Sequence, residues 1–234
     1  MKRITPATIV LVLALLVLFV LVGRYGFTVV KIADVEKAAK SEVFDPAAYV
    51  DGIWTSKLMP AFDQKAVDLS KILTEMQPDE KGTAPKENLV AIANKYGLIT
   101  VGEAHVYMVK GSGKIVKVDA ETSLGTAEVT LDGYSGPIKV LIYIGTRIPS
   151  DETSVRDAVG FINFGDFKEQ TEYGKVTSEI NNRVISQVLG SLDKANLLGK
   201  TISFQGAFTI RTFNLIQINL KEIRVVPVQL KLGE

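Results

Sequence analysis

Side chains able to do chemistry crowd into one stretch, Thr153 to Arg183, which reads TSVRDAVGFINFGDFKEQTEYGKVTSEINNR. Arg156 and Arg183 offer planar forks that hold carboxylates or hydroxyl-rich ligands through paired hydrogen bonds. Asp166, Gln170 and Asn181 add acceptors and donors, and Phe164 and Phe167 offer an apolar platform; these seven residues are the candidate binding set. Asp157, Asp166 and Glu169 would supply paired carboxylates for acid–base work on a glycoside if their separation suited it. Structural readings stand beside these. Ser154 and Asp157 fit an S-x-x-D capping box, with Asp157 reaching back to the Ser154 N–H. Phe161, Phe164 and Phe167 recur at three, the spacing of a hydrophobic seam under a loop. Either arginine would serve equally in a structural ion-pair network.

Composition removes several classes of chemistry. The 234 residues contain no cysteine and one histidine, His105, so thiolate nucleophiles, disulfides, Cys-ligated zinc and multi-His metal sites are excluded within this chain. A formal charge of +1 provides no field for nucleic acid. No motif calls for a cofactor or a metal, and none names a reaction, so an enzyme is not expected. Gly111-Ser112-Gly113 between Lys110 and Lys114 superficially resembles a phosphate loop but lacks the G-x-x-x-x-G-K-[ST] spacing, and it reads as a hairpin turn.

The elements that must position these residues follow from periodicity. Asp45-Pro46 reads as the N-cap and first position of a helix carrying Tyr49, Ile53 and Trp54, broken at Pro60. A second helix places Phe62, Ala66, Leu69, Leu73 and Met76 on one face. A third, Lys86 to Tyr96, turns Leu89, Ile92, Ala93 and Tyr96 inward and ends at Gly97, expected in the left-handed cap conformation. From Leu98 the period becomes two. Ala104, Val106 and Met108 form an apolar face, and His105 and Tyr107 are assigned to the polar one. Inner faces follow at Ala127–Leu131 and Ile138–Ile144. Tyr173, Val176, Ile180, Val184 and Val188 make the stripe of a long helix. Ile202–Ile210 and Ile216–Leu230 close the series, with a bulge expected near Glu222.

The N-terminus bears on location. Residues 4–23 carry no charge, behind Lys2 and Arg3; about 20 helical residues span a hydrocarbon core. A cleaved signal peptide competes, but Leu21-Val22-Gly23 before Arg24-Tyr25 lacks the usual small residues of a cleavage site, so an uncleaved signal-anchor is expected. The basic N-terminus would stay in the cytoplasm and the rest face the periplasm.

The expected fold is α+β. An N-terminal transmembrane helix (1–26) leads into a stalk and helical region (27–97). A mainly antiparallel OB-like β-barrel (98–234) follows, with one long helix (168–192) inserted between its strands. An antiparallel sheet with helices on one face is the alternative.

FDPAAYVDGIW (Phe44 to Trp54), ANKYG (Ala93 to Gly97), VRDAVGFINFGDF (Val155 to Phe167) and GKTISFQGAF (Gly199 to Phe208) together resemble an uncharacterised bacterial family of predicted periplasmic lipoproteins, often encoded beside ABC-type sugar importers. The resemblance implies a membrane-tethered periplasmic accessory to sugar uptake, with a sugar or a transporter component as partner and no nucleic acid. It supplies no catalytic residues. Two departures stand out: no cysteine is present to carry a lipid, so the hydrophobic helix would be the tether, and Gly145 to Pro149 differs from the family's Gly-Pro-rich loop. A carbohydrate-acting hydrolase using Asp157 and Asp166, and a purely structural envelope protein, are the rival functions.

Overall fold

The computed structural model describes residues 6–26, 31 and 44–233 and divides into two units, Met1–Phe44 and Asp45–Glu234. In the first, helix α1 runs Pro6–Tyr25, with apolar side chains exposed at Leu11 and from Leu13 to Val22. Among the described residues no helix is long and apolar enough to cross a membrane; within α1 the side chains described are those of Leu11 and residues 13–25. The span expected over 4–23 therefore extends past what the structure describes. The stalk expected over 27–40 lies outside the described residues, apart from Lys31.

The second unit begins as the local sequence dictates. Asp45 accepts hydrogen bonds from the Ala47 and Ala48 N–H groups, and Pro46 opens α2 (Pro46–Ile53). Pro60 does not break the chain as expected. A π turn, Trp54–Leu58, widens the hydrogen-bond register, and α3 (Met59–Lys65) continues directly with Pro60 in its first turn, where its missing N–H costs nothing. The expected second helix is in fact two. Ala66 turns extended, Val67–Asp68 forms the short strand β1, and Asp68 caps α4 (Leu69–Glu75). All five residues of the expected stripe are nevertheless buried.

After β2 (Thr83–Pro85) comes α5 (Lys86–Tyr96), with the bounds its periodicity predicts. Gly97 is not left-handed. It begins β3 (Gly97–Thr100) in extended backbone, and a Cβ there would lie 2.5 Å from the Val106 carbonyl oxygen, so close strand approach is what requires glycine. The following strand, β4, runs unbroken over Ala104–Asp119, through the glycines expected to form a hairpin. A Cβ on Gly113 would meet the Thr130 carbonyl oxygen at 2.2 Å, so these glycines let one long strand press closely on its neighbour.

β4 pairs antiparallel with β5 (Thr126–Leu131), β5 with β6 (Lys139–Tyr143), and β6 runs parallel to β9 (Glu222–Leu232). β9 pairs antiparallel with β7 (Thr201–Arg211), and β7 returns to β4, so the pairings close on themselves. Between β6 and β7 lie the short helix α6 (Ser154–Ala158) and the longer α7 (Gln170–Arg183), extended by a π turn at Val184–Val188. Three strands, helices and two strands is the order of an OB fold. The bulge expected near Glu222 lies instead at Gln205/Gly206 opposite β9, and Ile216 is exposed rather than in a final strand; β8 (Gln217–Asn219) pairs separately with β2.

The assignment of His105 and Tyr107 to a solvated face is reversed. Both are buried, and Tyr107 stacks on Phe208 inside the core at 4.9 Å. Val106 and Met108 face outward but lie beside Ala158 and Val159 of the α6 segment. Both faces of the strand are thus covered from His105 to Val109, and alternation there cannot reveal which one points inward.

Candidate functional site

The central stretch folds as a locked corner. Arg156 is 8% exposed, and its Nε donates to Asp157 Oδ1 at 2.8 Å. One guanidinium nitrogen donates to Thr177 Oγ1 at 2.6 Å and to the Tyr173 carbonyl at 3.3 Å, while the guanidinium plane sits 3.6 Å from the Tyr173 ring centroid. Asp157 also accepts from Thr153 Oγ1 and the Tyr173 hydroxyl. The expected capping box between Ser154 and Asp157 does not form. Thr153 holds the N-cap position, the Ser154 N–H goes to Glu152 Oε1 at 3.1 Å, and the buried Ser154 hydroxyl donates to the Ala207 carbonyl. With Arg156 beside it, the Asp157 carboxylate is spent on preventing an uncompensated buried charge.

The other predicted residues separate in the same way. Asn181 is buried and donates to the Glu152 carbonyl at 3.0 Å. Arg183 ties α7 to α2 through Asp51 and sits 5.7 Å over the Trp54 ring. These two residues and Arg156 serve cohesion. Asp166 closes a small capping box with Asn163 around the 3-10 turn Phe164–Asp166. Phe167 packs edge-on to Tyr49 and tilted against Tyr173, whereas Phe164 and Gln170 are exposed. Asp157 is bound up in the corner and Asp166 in its turn.

A cleft that the sequence reading did not identify opens where β7 and β9 part. Beyond Ala207, β7 keeps its pairing with β4, while β9 before Val226 pairs with β6. The gap holds about 370 Å³ and is lined by Tyr143, Asp151, Glu152, Thr209, Arg211, Asn219 and Arg224 among others. That volume suits a small ligand.

Its polar groups are fixed by the backbone behind them. Glu152 is anchored through its main chain, its N–H bonding to the Pro149 carbonyl and its carbonyl to Asn181. Burial pushes the Glu152 carboxyl above the usual range, against the pull of the Ser154 hydrogen bonds and Arg211. Burial, helped by the negative field of Glu152, pushes the Tyr143 hydroxyl up to about 12, so it remains a hydrogen-bond donor. Arg211 donates to the Asp151 carbonyl at 3.0 Å, and Arg224 pairs with Glu222. The buried Thr209 Oγ1 has no hydrogen-bond partner among the described residues, and such a group is costly to leave unmet. Only the acidic pair Asp151-Glu152 before the helix signals this site in the sequence, and acidic pairs are common in loops. A second groove, of about 350 Å³ beside Lys110, Gln205, Gln229 and Lys231, lies over sheet that remains paired throughout.

The family model described as "Predicted periplasmic lipoprotein (DUF2291)" matches residues 15–231. No protein of curated function matches the chain. Among solved structures, the crystal structure of an OB-fold protein from Thermotoga maritima superposes with a TM-score of 0.60 at 20% identity, covering 82% of this chain and all of the other. At that identity the likeness is one of fold.

Proposed function

The chain belongs to the DUF2291 family of predicted periplasmic lipoproteins, and from that premise we propose a periplasmic binding protein, held at the membrane by its N-terminal segment, that takes a small hydroxyl-rich ligand into the cleft between β7 and β9. The family's description as predicted periplasmic lipoproteins supports a periplasmic, membrane-attached protein. None of its 234 residues is a cysteine, so a thioether-linked lipid has no attachment point among them. The apolar surface of α1 takes that role, as a single-pass anchor with the C-terminal unit outside the cytoplasm.

The observation that carries the binding assignment is the gap in strand pairing, with the unpartnered Thr209 hydroxyl and fixed donors and acceptors of both signs around it. A sugar, with many hydroxyls and no charge, fits such a mixed set better than an anion or a cation would. The reading includes a place beside a sugar ABC transporter, which the family resemblance implies. The assignment is to recognition rather than catalysis, because Asp157 is held by Arg156.

The test is a thermal-shift screen of the full chain in detergent against monosaccharides and polyols. At least one should raise the melting temperature. Asn219→Ala should abolish that rise while leaving the ligand-free melt in place. A panel with no effect, or a rise that Asn219→Ala leaves intact, contradicts the assignment.

A further inference from the structure

At one end of the second unit, two adjoining loops present large apolar side chains to solvent. The β3–β4 turn carries Val101, which is fully exposed, and the loop after β7 carries Phe213, Leu215 and Ile216, exposed by 61%, 48% and 82%. The loops are tied together. The Thr212 N–H and hydroxyl both donate to the Glu103 carbonyl, the hydroxyl at 2.7 Å, and the Lys86 N–H donates to the Ile216 carbonyl. Glu103 and Asn214 hold positive φ values of 56°, so each turn has a defined shape.

We propose that this tip is a second membrane contact, dipping into the interfacial region of a lipid bilayer. The inference rests on the tethered reading above. Four apolar side chains on two turns fall well short of a stable protein interface, which takes about 20–30 residues a side. A fluid lipid surface accepts such a point without a matching pocket. A tether supplies the rest: contact too weak to hold a free domain persists when the bilayer is always within reach. The nearby charges are already paired, Lys86 with Glu103 and Arg211 with Asp151. Attraction to anionic headgroups is therefore not the driving force, and neutral lipid should suffice.

The absence of cysteine permits a clean test. Full-length Asn214→Cys and, as a control on β5, Thr130→Cys are labelled with an environment-sensitive fluorophore and reconstituted into phosphatidylcholine vesicles carrying spin-labelled lipid. The probe at 214 should shift to the blue and be quenched several-fold more than the probe at 130, with no further gain on adding phosphatidylglycerol. Adding Val101→Ser, Phe213→Ser and Ile216→Ser should reduce quenching at 214 to the control level without lowering the melting temperature. Carbonate washing of the same vesicles reads the tether separately. A chain that resists washing while position 214 reports water overturns this inference alone; a chain that washes off overturns the tether as well. Protection at 214 only in native membranes, and not in pure lipid, assigns the tip to a protein partner and also overturns the inference.

Discussion

Arg156 and Arg183 carry the same group into different surroundings, and their surroundings set their worth. Arg156 is buried against Asp157, Thr177 and Tyr173, and removing it leaves Asp157 charged in a dry corner. Arg156→Ala should cost about 3–5 kcal/mol. Arg183 meets an Asp51 side chain that is 66% exposed, so Arg183→Ala should cost about 1 kcal/mol or less. Urea denaturation of both variants checks the contrast; similar losses would mean that the corner is not what holds α6 to α7. His105 gives a pH signature. Burial first, then the positive charge of Lys86, lowers its folded pKa, against the pull of Glu103. Below the ordinary value of 6.5 the unfolded chain takes up a proton that the folded chain refuses, so stability is full above that value and falls as pH drops through it. Urea midpoints at pH 7.5 and 5.5 should differ less in His105→Gln than in the parent. Residue types alone could not separate these roles. An arginine beside an aspartate is written the same way whether it meets a ligand or its neighbour, and the decisive contacts to Tyr173 and Thr177 come from another helix.

At the scale of elements, periodicity was legible wherever one face of an element meets the core and the other meets water. Helix α5 and the inner face of β5 were readable for that reason. It failed at the start of β4, where α6 covers the outside and the inward face carries His105 and Tyr107. It failed also where glycine serves close approach rather than a turn. Gly113→Ala tests that account directly: the new methyl meets the Thr130 carbonyl oxygen, and overpacking of this kind should cost about 1–3 kcal/mol. If Gly111–Gly113 formed a hairpin instead, the methyl would meet no neighbouring strand and the cost would be at most that of a positive φ, about 1 kcal/mol. Phe204→Ala, on the inner face of β7, should cost about 3–5 kcal/mol. The helix interruptions at 54–58 and 66–68 were illegible because the burial stripe runs on through them. The cleft was illegible for a related reason: it exists where two strands stop pairing, and the acidic pair Asp151-Glu152 beside it is too common a feature of loops to mark that position in the sequence.

The whole molecule combines an apolar N-terminal segment with a strand circuit of OB order and a gap in that circuit. The circuit spaces the gap's polar groups by backbone rather than by flexible side chains, with Glu152 fixed by its own N–H and carbonyl. Such pre-organisation favours recognition, since little ordering remains to be done on binding. The measurement that tests this most directly is calorimetric titration of the full chain with a sugar that raises its melting temperature, comparing Asn219→Ala in the cleft with Gln170→Ala at the exposed start of α7. At least a tenfold loss of affinity is expected for Asn219→Ala, about 1.4 kcal/mol, with unchanged affinity for Gln170→Ala. Loss of binding in Gln170→Ala with Asn219→Ala unaffected would move the site to the α6–α7 corner and contradict it.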